Sequence, residues 1–179
     1  MPSWSIASIC PFLALAAAAG LAGCASLAPG GSASGVAELM PTQGNTARGD
    51  VRYTQQGGQL AVVARVSGLK PNQAHGFHVH EKGDCSAPDA TSAGGHFNPG
   101  AAPHGAPSAP HHAGDMPSLM ADAQGNAQAS FAIDGRLAGD AASAFVGKAV
   151  IVHAMPDDYT TQPTGNSGAR IACGVIRMP

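Results

Sequence analysis

Charge is scarce in this chain, with 9 Lys and Arg and 11 Asp and Glu in 179 residues, for a net charge of −2 with histidine neutral. No basic surplus exists to neutralise phosphates, so nucleic acid is excluded as a partner. Residues 1–23 contain no Asp, Glu, Lys or Arg at all, and aromatic residues make up only 4% of the chain, with a single tryptophan, Trp4. A convincing helical repeat of apolar residues is missing too. What is abundant is histidine: of the 8 in the chain, all but His153 fall between His75 and Asp115. Such crowding in a chain poor in charge asks for a chemical reason, and metal ligation is the first candidate.

The chain opens with an uncharged, alanine-rich apolar run, Ile6 to Ala22, which ends in Leu21-Ala22-Gly23-Cys24. About 18 apolar residues suffice for a membrane span, but Pro11 and the small residues before Cys24 favour an export signal that is removed. The tetrapeptide resembles a bacterial lipobox. That resemblance implies acylation of Cys24 as the first mature residue, and Ala25 beside it implies the outer membrane. No Lys or Arg precedes the run, which departs from the usual signal. An uncleaved anchor or a simple secretory peptide are the alternatives, and each also takes the chain out of the cytoplasm. The expected division is therefore 1–23 signal peptide of lipoprotein type, 24–35 flexible tether and 36–179 domain. The expected location is the periplasm or cell envelope, with the protein anchored to the outer membrane through lipid on Cys24. About ten Gly- and Ser-rich tether residues would reach roughly 16–19 Å.

Of the 4 cysteines, Cys10 lies in the signal and Cys24 would carry lipid. Cys85 and Cys173 remain, in a compartment that permits disulfides, and are expected to be bridged. Closing a loop of about 88 residues would restrict the unfolded chain by up to roughly 4–5 kcal/mol.

From Val36 onward short strands alternate with turns. Gly35–Met40, Arg48–Gln55 and Gln59–Ser67 read as antiparallel strands, the third with Leu60, Val62, Ala64 and Val66 on one face. His75–Lys82, Ser118–Ala123, Asn126–Asp134, Lys148–His153 and Ile171–Arg177 complete a set of about eight, which predicts an all-β antiparallel sandwich or barrel. Gly83 to Pro117 is rich in proline and glycine and lacks apolar periodicity. A loop of that length is functional or disordered, and metal could order it.

His78 and His80 stand two apart on a predicted strand, so both rings leave one face while Val79 leaves the other. Alone the pair is a weak signal. The loop adds His96, His104, His112 and Asp115, and three histidines with one carboxylate make a closed, structural four-coordinate zinc site.

Four separated motifs then resemble the copper,zinc superoxide dismutases: His75-Gly76-Phe77-His78-Val79-His80-Glu81, Gly94-Gly95-His96-Phe97-Asn98-Pro99, Val152-His153-Ala154, and Gly168-Ala169-Arg170-Ile171-Ala172-Cys173-Gly174-Val175-Ile176. The resemblance runs from about Val36 to Pro179. It implies an eight-stranded antiparallel Greek-key β-barrel or sandwich, immunoglobulin-like, with two long functional loops. Carried over by position, His78, His80, His96 and His153 resemble the copper ligands, and His96, His104, His112 and Asp115 the zinc ligands, one metal of each kind per subunit with His96 shared between them. Asp157 resembles the aspartate that bonds one ring of each set, here His78 and His104. Arg170 resembles the arginine beside the copper channel, and Cys85 with Cys173 the family disulfide. The implied reaction is dismutation of superoxide to dioxygen and hydrogen peroxide, with His96 and Arg170 as the catalytic protein groups, copper cycling and zinc redox-inert.

His75 is left out of the metal sets and is expected to hold backbone instead. His111 reads as solvent-facing, and would replace His112 if the register slipped by one. Lys82 is either a source of local positive potential or a solvated strand end, and Asp158 a solvated carboxylate. The loop Tyr159–Ser167 has no Lys and no Glu, so steering of an anion must come from Arg170, the metals or elsewhere. A metal-storing lipoprotein would need the histidines but not Arg170 or a shared His96. A zinc hydrolase would need an open zinc position, which four ligands deny it. Monomer and homodimer both stay open, because no exposed apolar stripe can be told from core in strands this rich in alanine. Cleavage before Cys24 would also remove Trp4, so mature protein purified from membranes should show no tryptophan emission and an intact mass beginning at an acylated Cys24. Retention of tryptophan emission would mean that the segment stays on.

Overall fold

The computed structural model describes Met1 and residues 32–179, so the apolar run, Cys24 and the tether up to residue 31 lie outside the described residues. Among the described residues are nine strands: β1 (Ser34–Pro41), β2 (Arg48–Gln56), β3 (Gln59–Ser67), β4 (Ala74–His75), β5 (Phe77–His80), β6 (Leu119–Met120), β7 (Ala127–Asp134), β8 (Ala149–His153) and β9 (Arg170–Val175). The only helical turn among them is a 3-10 turn at Thr91–Ala93. Seven strands form one curled antiparallel sheet in the order β5-β8-β9-β1-β2-β3-β7, and β4 pairs separately with β6. The chain thus leaves β3, returns beside it as β7, and crosses over to build β8 and β9 between β5 and β1, which is Greek-key connectivity.

Period-two alternation decides what faces inward. On β3, Leu60, Val62, Ala64 and Val66 are buried and pack with Leu39, Val51, Tyr53, Phe77, Val79, Val150, Val152 and Ile176 in one core. β8 is buried along its whole length, because Val150 and Val152 enter that core while Ala149 and Ile151 face outward into a second, smaller cluster with Ala90, Ala93, Cys173 and Cys85. A strand covered on both faces reads as the unbroken apolar run Ala149-Val150-Ile151-Val152 rather than as an alternating one. The Cys85–Cys173 disulfide, with Cα atoms 5.8 Å apart, pins the covering loop to β9.

Three expectations change. The strand expected over His75–Lys82 is interrupted at Gly76, whose N–H donates to Met155 O at 2.8 Å and whose carbonyl accepts from His153 N–H at 2.8 Å, so β4 and β5 pair with different partners. Glu81 and Lys82 leave the sheet, their N–H groups donating to Gly95 O at 2.9 Å and Ala93 O at 3.1 Å. The strand expected over Ser118–Ala123 contracts to Leu119–Met120, the two residues that find a ladder partner in β4.

The third change concerns the end of the tether. The flexible segment does not extend to Gly35, because Ala33 already accepts a hydrogen bond from Gln55 N–H at 2.8 Å and Ser34 and Gly35 pair with Thr54 and Tyr53. A glycine stands at position 35 for room rather than for freedom, since a Cβ there would lie 2.9 Å from Leu137 Cδ1 and 3.3 Å from Ile176 Cγ2, both in the buried core. Gly35→Val should therefore destabilise the domain by about 1–3 kcal/mol, as overpacking does. A linker position would absorb the same change within about 0.5 kcal/mol in a denaturant titration.

Candidate metal centre

β5 is the edge strand of the large sheet, and its free side is stitched to the long loop by main-chain bonds. Val79 N–H donates to Gly114 O at 2.8 Å, Phe97 N–H to Val79 O at 2.8 Å and Gly114 N–H to Phe97 O at 2.8 Å. Covering an edge in this way blocks further strand pairing. It also brings His96 opposite His80 and Asp115 opposite His78.

With Phe77 and Val79 in the core, His78 and His80 leave the outer face of β5. On β8 the same alternation turns His153 outward beside Ile151. A bulge does the remaining work on β9, where Val152 pairs with Ala172 but His153 pairs with Arg170, leaving Ile171 as an extra residue. Ile171 and Ala172 consequently both pack into the core. Strict alternation would have sent Arg170 inward with Ala172, and the bulge returns it to the histidine face.

Two groups of side chains result, each offering ligand atoms within 4.8 Å of one another: His78, His80, His96 and His153 in one, and His96, His104, His112 and Asp115 in the other. Each ring of the first group has one nitrogen engaged by protein, that of His96 being Nδ1, which faces Asp115 in the second group. His78 Nε2–H donates to Asp157 Oδ2 at 2.6 Å, His80 Nδ1–H to Gly94 O at 2.9 Å and His153 Nδ1–H to Gly168 O at 3.1 Å. Such bonds fix the tautomer and leave the opposite nitrogen with its lone pair. Those opposite atoms, His78 Nδ1, His80 Nε2 and His153 Nε2, together with His96 Nε2, are buried and have no hydrogen-bond partner. Four bare buried nitrogens in one place would each cost about 1–3 kcal/mol, and a cation accepting all four lone pairs removes that cost.

In the second group His96 Nδ1 lies 2.8 Å from Asp115 Oδ1, His112 Nδ1 lies 3.4 Å from the same oxygen, and His104 Nδ1, another atom without a hydrogen-bond partner, lies 3.0 Å from Asp115 Oδ2. Three imidazoles and one carboxylate suit a closed tetrahedral cation such as zinc. Asp157 spans both groups, because its Oδ1 accepts from His104 Nε2–H at 2.9 Å while Oδ2 serves His78. Gly165 permits this, with φ at +66° and no room for a Cβ, which would fall 1.8 Å from Asp157 Oδ1.

The sequence profile described as copper/zinc superoxide dismutase (SODC) matches residues 47–176. The chain belongs to the copper/zinc superoxide dismutase family. Among relatives, it is 40% identical over 147 residues to superoxide dismutase [Cu-Zn] 2 of Aquifex aeolicus, covering 79% of this chain and 85% of that one. It is also 40% identical over 136 residues to superoxide dismutase [Cu-Zn] of Paramecium bursaria Chlorella virus 1, covering 72% of each. Among solved structures, a SOD-like protein from Bacillus subtilis superposes with a TM-score of 0.70 at 37% identity, over 78% of this chain and 96% of that one. The clock protein EA4 superposes with a TM-score of 0.73 at 36% identity, over 83% and 96%. Histidine clusters of this kind fit the copper and zinc of the family.

Around the two groups the superoxide dismutase fold supplies main-chain carbonyls as partners. Gly94 O, which holds His80, also accepts from Arg170 Nη2 at 2.7 Å, and Arg170 Nη1 donates to Ala90 O at 2.7 Å. The guanidinium is thereby tied to the same carbonyl as a metal-facing ring. Burial lowers its pKa and the carboxylate of Asp89 raises it, and an arginine stays protonated throughout. Asp89 and Arg170 line one surface cavity of about 390 Å³ with Thr42, Gln43 and Thr91. Backbone carbonyls such as those of Gly94, Ala90 and Gly168 carry no sequence signal.

His75 stands apart from both groups. Its Nδ1 lies 2.8 Å from His153 O and its Nε2 3.4 Å from Lys70 O, so the ring buttresses main chain. His111 also lies outside both groups, half-buried, with Nδ1 2.6 Å from His112 O. Lys82 is exposed, as is Asp158, whose carboxylate is lowered to about 2 by hydrogen bonds from Thr161 and Thr160.

Burial is also what prepares the rings. It pushes His78 and His80 well below the usual imidazole range, reinforced by neighbouring imidazoles, and lowers His112. His153 falls to about 4, burial outweighing the Gly168 carbonyl. For Asp115 burial acts upward, but hydrogen bonds from His96 and from the N–H groups of Gly105 and His112 prevail and hold it well below the carboxylate range. At neutral pH His78, His80, His112 and His153 are therefore neutral imidazoles and Asp115 is a carboxylate.

The sign follows from linkage: a folded pKa below the unfolded 6.5 contributes stability that is complete above about pH 6.5 and is lost as pH falls toward about 4. Metal-free protein should thus melt at progressively lower temperature across that window, and His153→Leu should show a smaller loss in the same scan. An equal loss in the variant would assign the effect to other groups.

Proposed function

We propose that this superoxide dismutase holds one copper per subunit through His78, His80, His96 and His153 and one zinc per subunit through His96, His104, His112 and Asp115, and that it works in the cell envelope. The observation that carries the reading is His96, the one ring with a nitrogen facing each group, Nε2 toward the other three bare histidine nitrogens and Nδ1 toward Asp115. Copper in the first group would supply one-electron chemistry, oxidising one superoxide to dioxygen and reducing the next, with two protons, to hydrogen peroxide, while zinc in the second would be a redox-inert positive charge.

The chain's own part is to keep the ligands in place and to handle anion and proton. Asp157 holds His78 and His104 in register and makes both rings present Nδ1. His80 and His153, held through Nδ1, present Nε2 instead. His96 Nε2 is the protein atom suited to hold a proton and give it up, since Nδ1 keeps its partner in either state. Arg170 spends two N–H groups on Ala90 and Gly94, which stiffens the guanidinium and leaves its other donors for a small anion. All ligands of both groups come from one chain, so a monomer is sufficient for the site.

The envelope assignment draws on the apolar run before Leu21-Ala22-Gly23-Cys24, with a lipid on Cys24 holding the domain at the outer membrane, and on the Cys85–Cys173 disulfide, a bond that persists in oxidising compartments. Protection of that compartment from superoxide is the role this implies.

Purified protein loaded with both metals should consume superoxide well above the rate of an equal amount of free copper, and a rate no higher than free copper would overturn the reading. Arg170→Ala should keep both metals and lose about tenfold or more in kcat/KM at low salt. His96→Ala should fail to retain copper and zinc together, and full retention of both would remove the shared ligand from the scheme.

A further inference from the structure

Most of the ligands sit on main chain that is already secured. His78, His80 and His153 lie in strands, His96 lies between Gly95 and Phe97, which both bond to the β5 segment, and His112 O accepts from Asp115 N–H at 3.1 Å. His104 differs. Among the described residues no main-chain group pairs with its main chain. Its N–H donates instead to Gln162 Oε1 at 2.9 Å, and its carbonyl accepts from Gln162 Nε2 at 2.8 Å. One side-chain amide thus substitutes for a strand neighbour, across 58 residues of sequence.

We infer that Gln162 is a positioning residue for His104, its amide clamping the His104 main chain so that Nδ1 stays beside Asp115 in the second ligand group. Three contacts from the second loop converge on this one histidine: Gln162 on the main chain, Asp157 on Nε2, and Gly165 in close approach to the ring. Asp157 alone orients the ring about its bonds but leaves the backbone that carries it unsupported, and in a loop rich in proline and glycine that backbone has no regular partner to fall back on. Gln162 is exposed and uncharged, and it touches neither ligand group through a titratable atom. Its loop has a separate anchor, because Ser118 N–H donates to Tyr159 Oη at 2.9 Å. That second anchor makes it possible to separate a hold on His104 from a general ordering of the loop.

The inference rests on the reading of the second group as a zinc site, and the experiment separates the two. In zinc-loaded full-length protein, release of zinc to an excess of a colorimetric chelator is followed for wild type, Gln162→Ala, Gln162→Glu and Tyr159→Phe, with amide hydrogen exchange at His104 measured on the same samples. Gln162→Glu keeps the acceptor but sets an oxygen against the His104 carbonyl, so it should behave like Gln162→Ala. Both should release zinc about tenfold faster, the usual effect of losing a partner behind a ligand, and both should lose exchange protection at the His104 amide. Tyr159→Phe should stay within about twofold of wild type. Release from Gln162→Ala at the wild-type rate, or equal acceleration in Tyr159→Phe, would overturn the clamp while leaving the zinc site standing. Wild-type protein that takes up no zinc would instead overturn the metal assignment and the clamp together.

Discussion

Imidazole has two nitrogens, and burying the ring obliges the protein to account for both. In this molecule the accounting is deliberately incomplete: one nitrogen of His78, His80, His104 and His153 is bonded to a carboxylate or a main-chain carbonyl, and the other is buried and bare. A bare buried nitrogen is unfavourable unless a cation takes its lone pair, and the same burial keeps the rings of His78, His80 and His153 unprotonated at neutral pH. Ligand readiness and instability without metal are therefore one property. The Greek-key sheet, the disulfide and the stitched loop are what hold the rings in this condition instead of letting them turn to water.

Position on the sheet sets a fixed positive charge beside those rings. The loop that carries Ala90 and Ala93 covers part of the outer face of β8 and β9, so a second small core lies on the same face as the clustered rings. Arg170 reaches that face only because Ile171 is an extra residue on β9. Its guanidinium then shares the Gly94 carbonyl with His80. The first ligand group and Arg170 are thus coupled through a single backbone oxygen. The other loop, from Asp157 to Gly165, plays the corresponding part for the second ligand group. The oxygens of Asp157 divide between His78 and His104, so neither ligand group can shift without disturbing the other.

Much of this was legible before any coordinates. Metal ligands must be His, Cys or carboxylate, and crowding those types into a polar loop beside a His-x-His strand leaves a trace in composition itself. The alternation of β3 and the unbroken apolar run of β8 were legible too, since one strand has one wet face and the other has none. Less visible was anything resting on main-chain atoms or on space. Gly35 read both as the end of the linker and as the start of a strand, because glycine looks the same whether it frees a chain or makes room for Leu137. The break at Gly76 was hidden because its hydrogen bonds run to Met155 and His153, far along the chain. Gln162 carries no charge and no metal affinity, so nothing in the string sets it apart from the polar residues around it.

The residue types themselves determined the chemistry available, the approximate set of strands, and the pairing of Cys85 with Cys173, because each of these depends on what a side chain is. Tertiary structure alone decided which nitrogen of each ring is free, which face Arg170 occupies, and what holds His104, because each depends on where a distant carbonyl, bulge or amide comes to lie. A histidine can be read from one letter, but which of its nitrogens is left bare is settled by its neighbours in space.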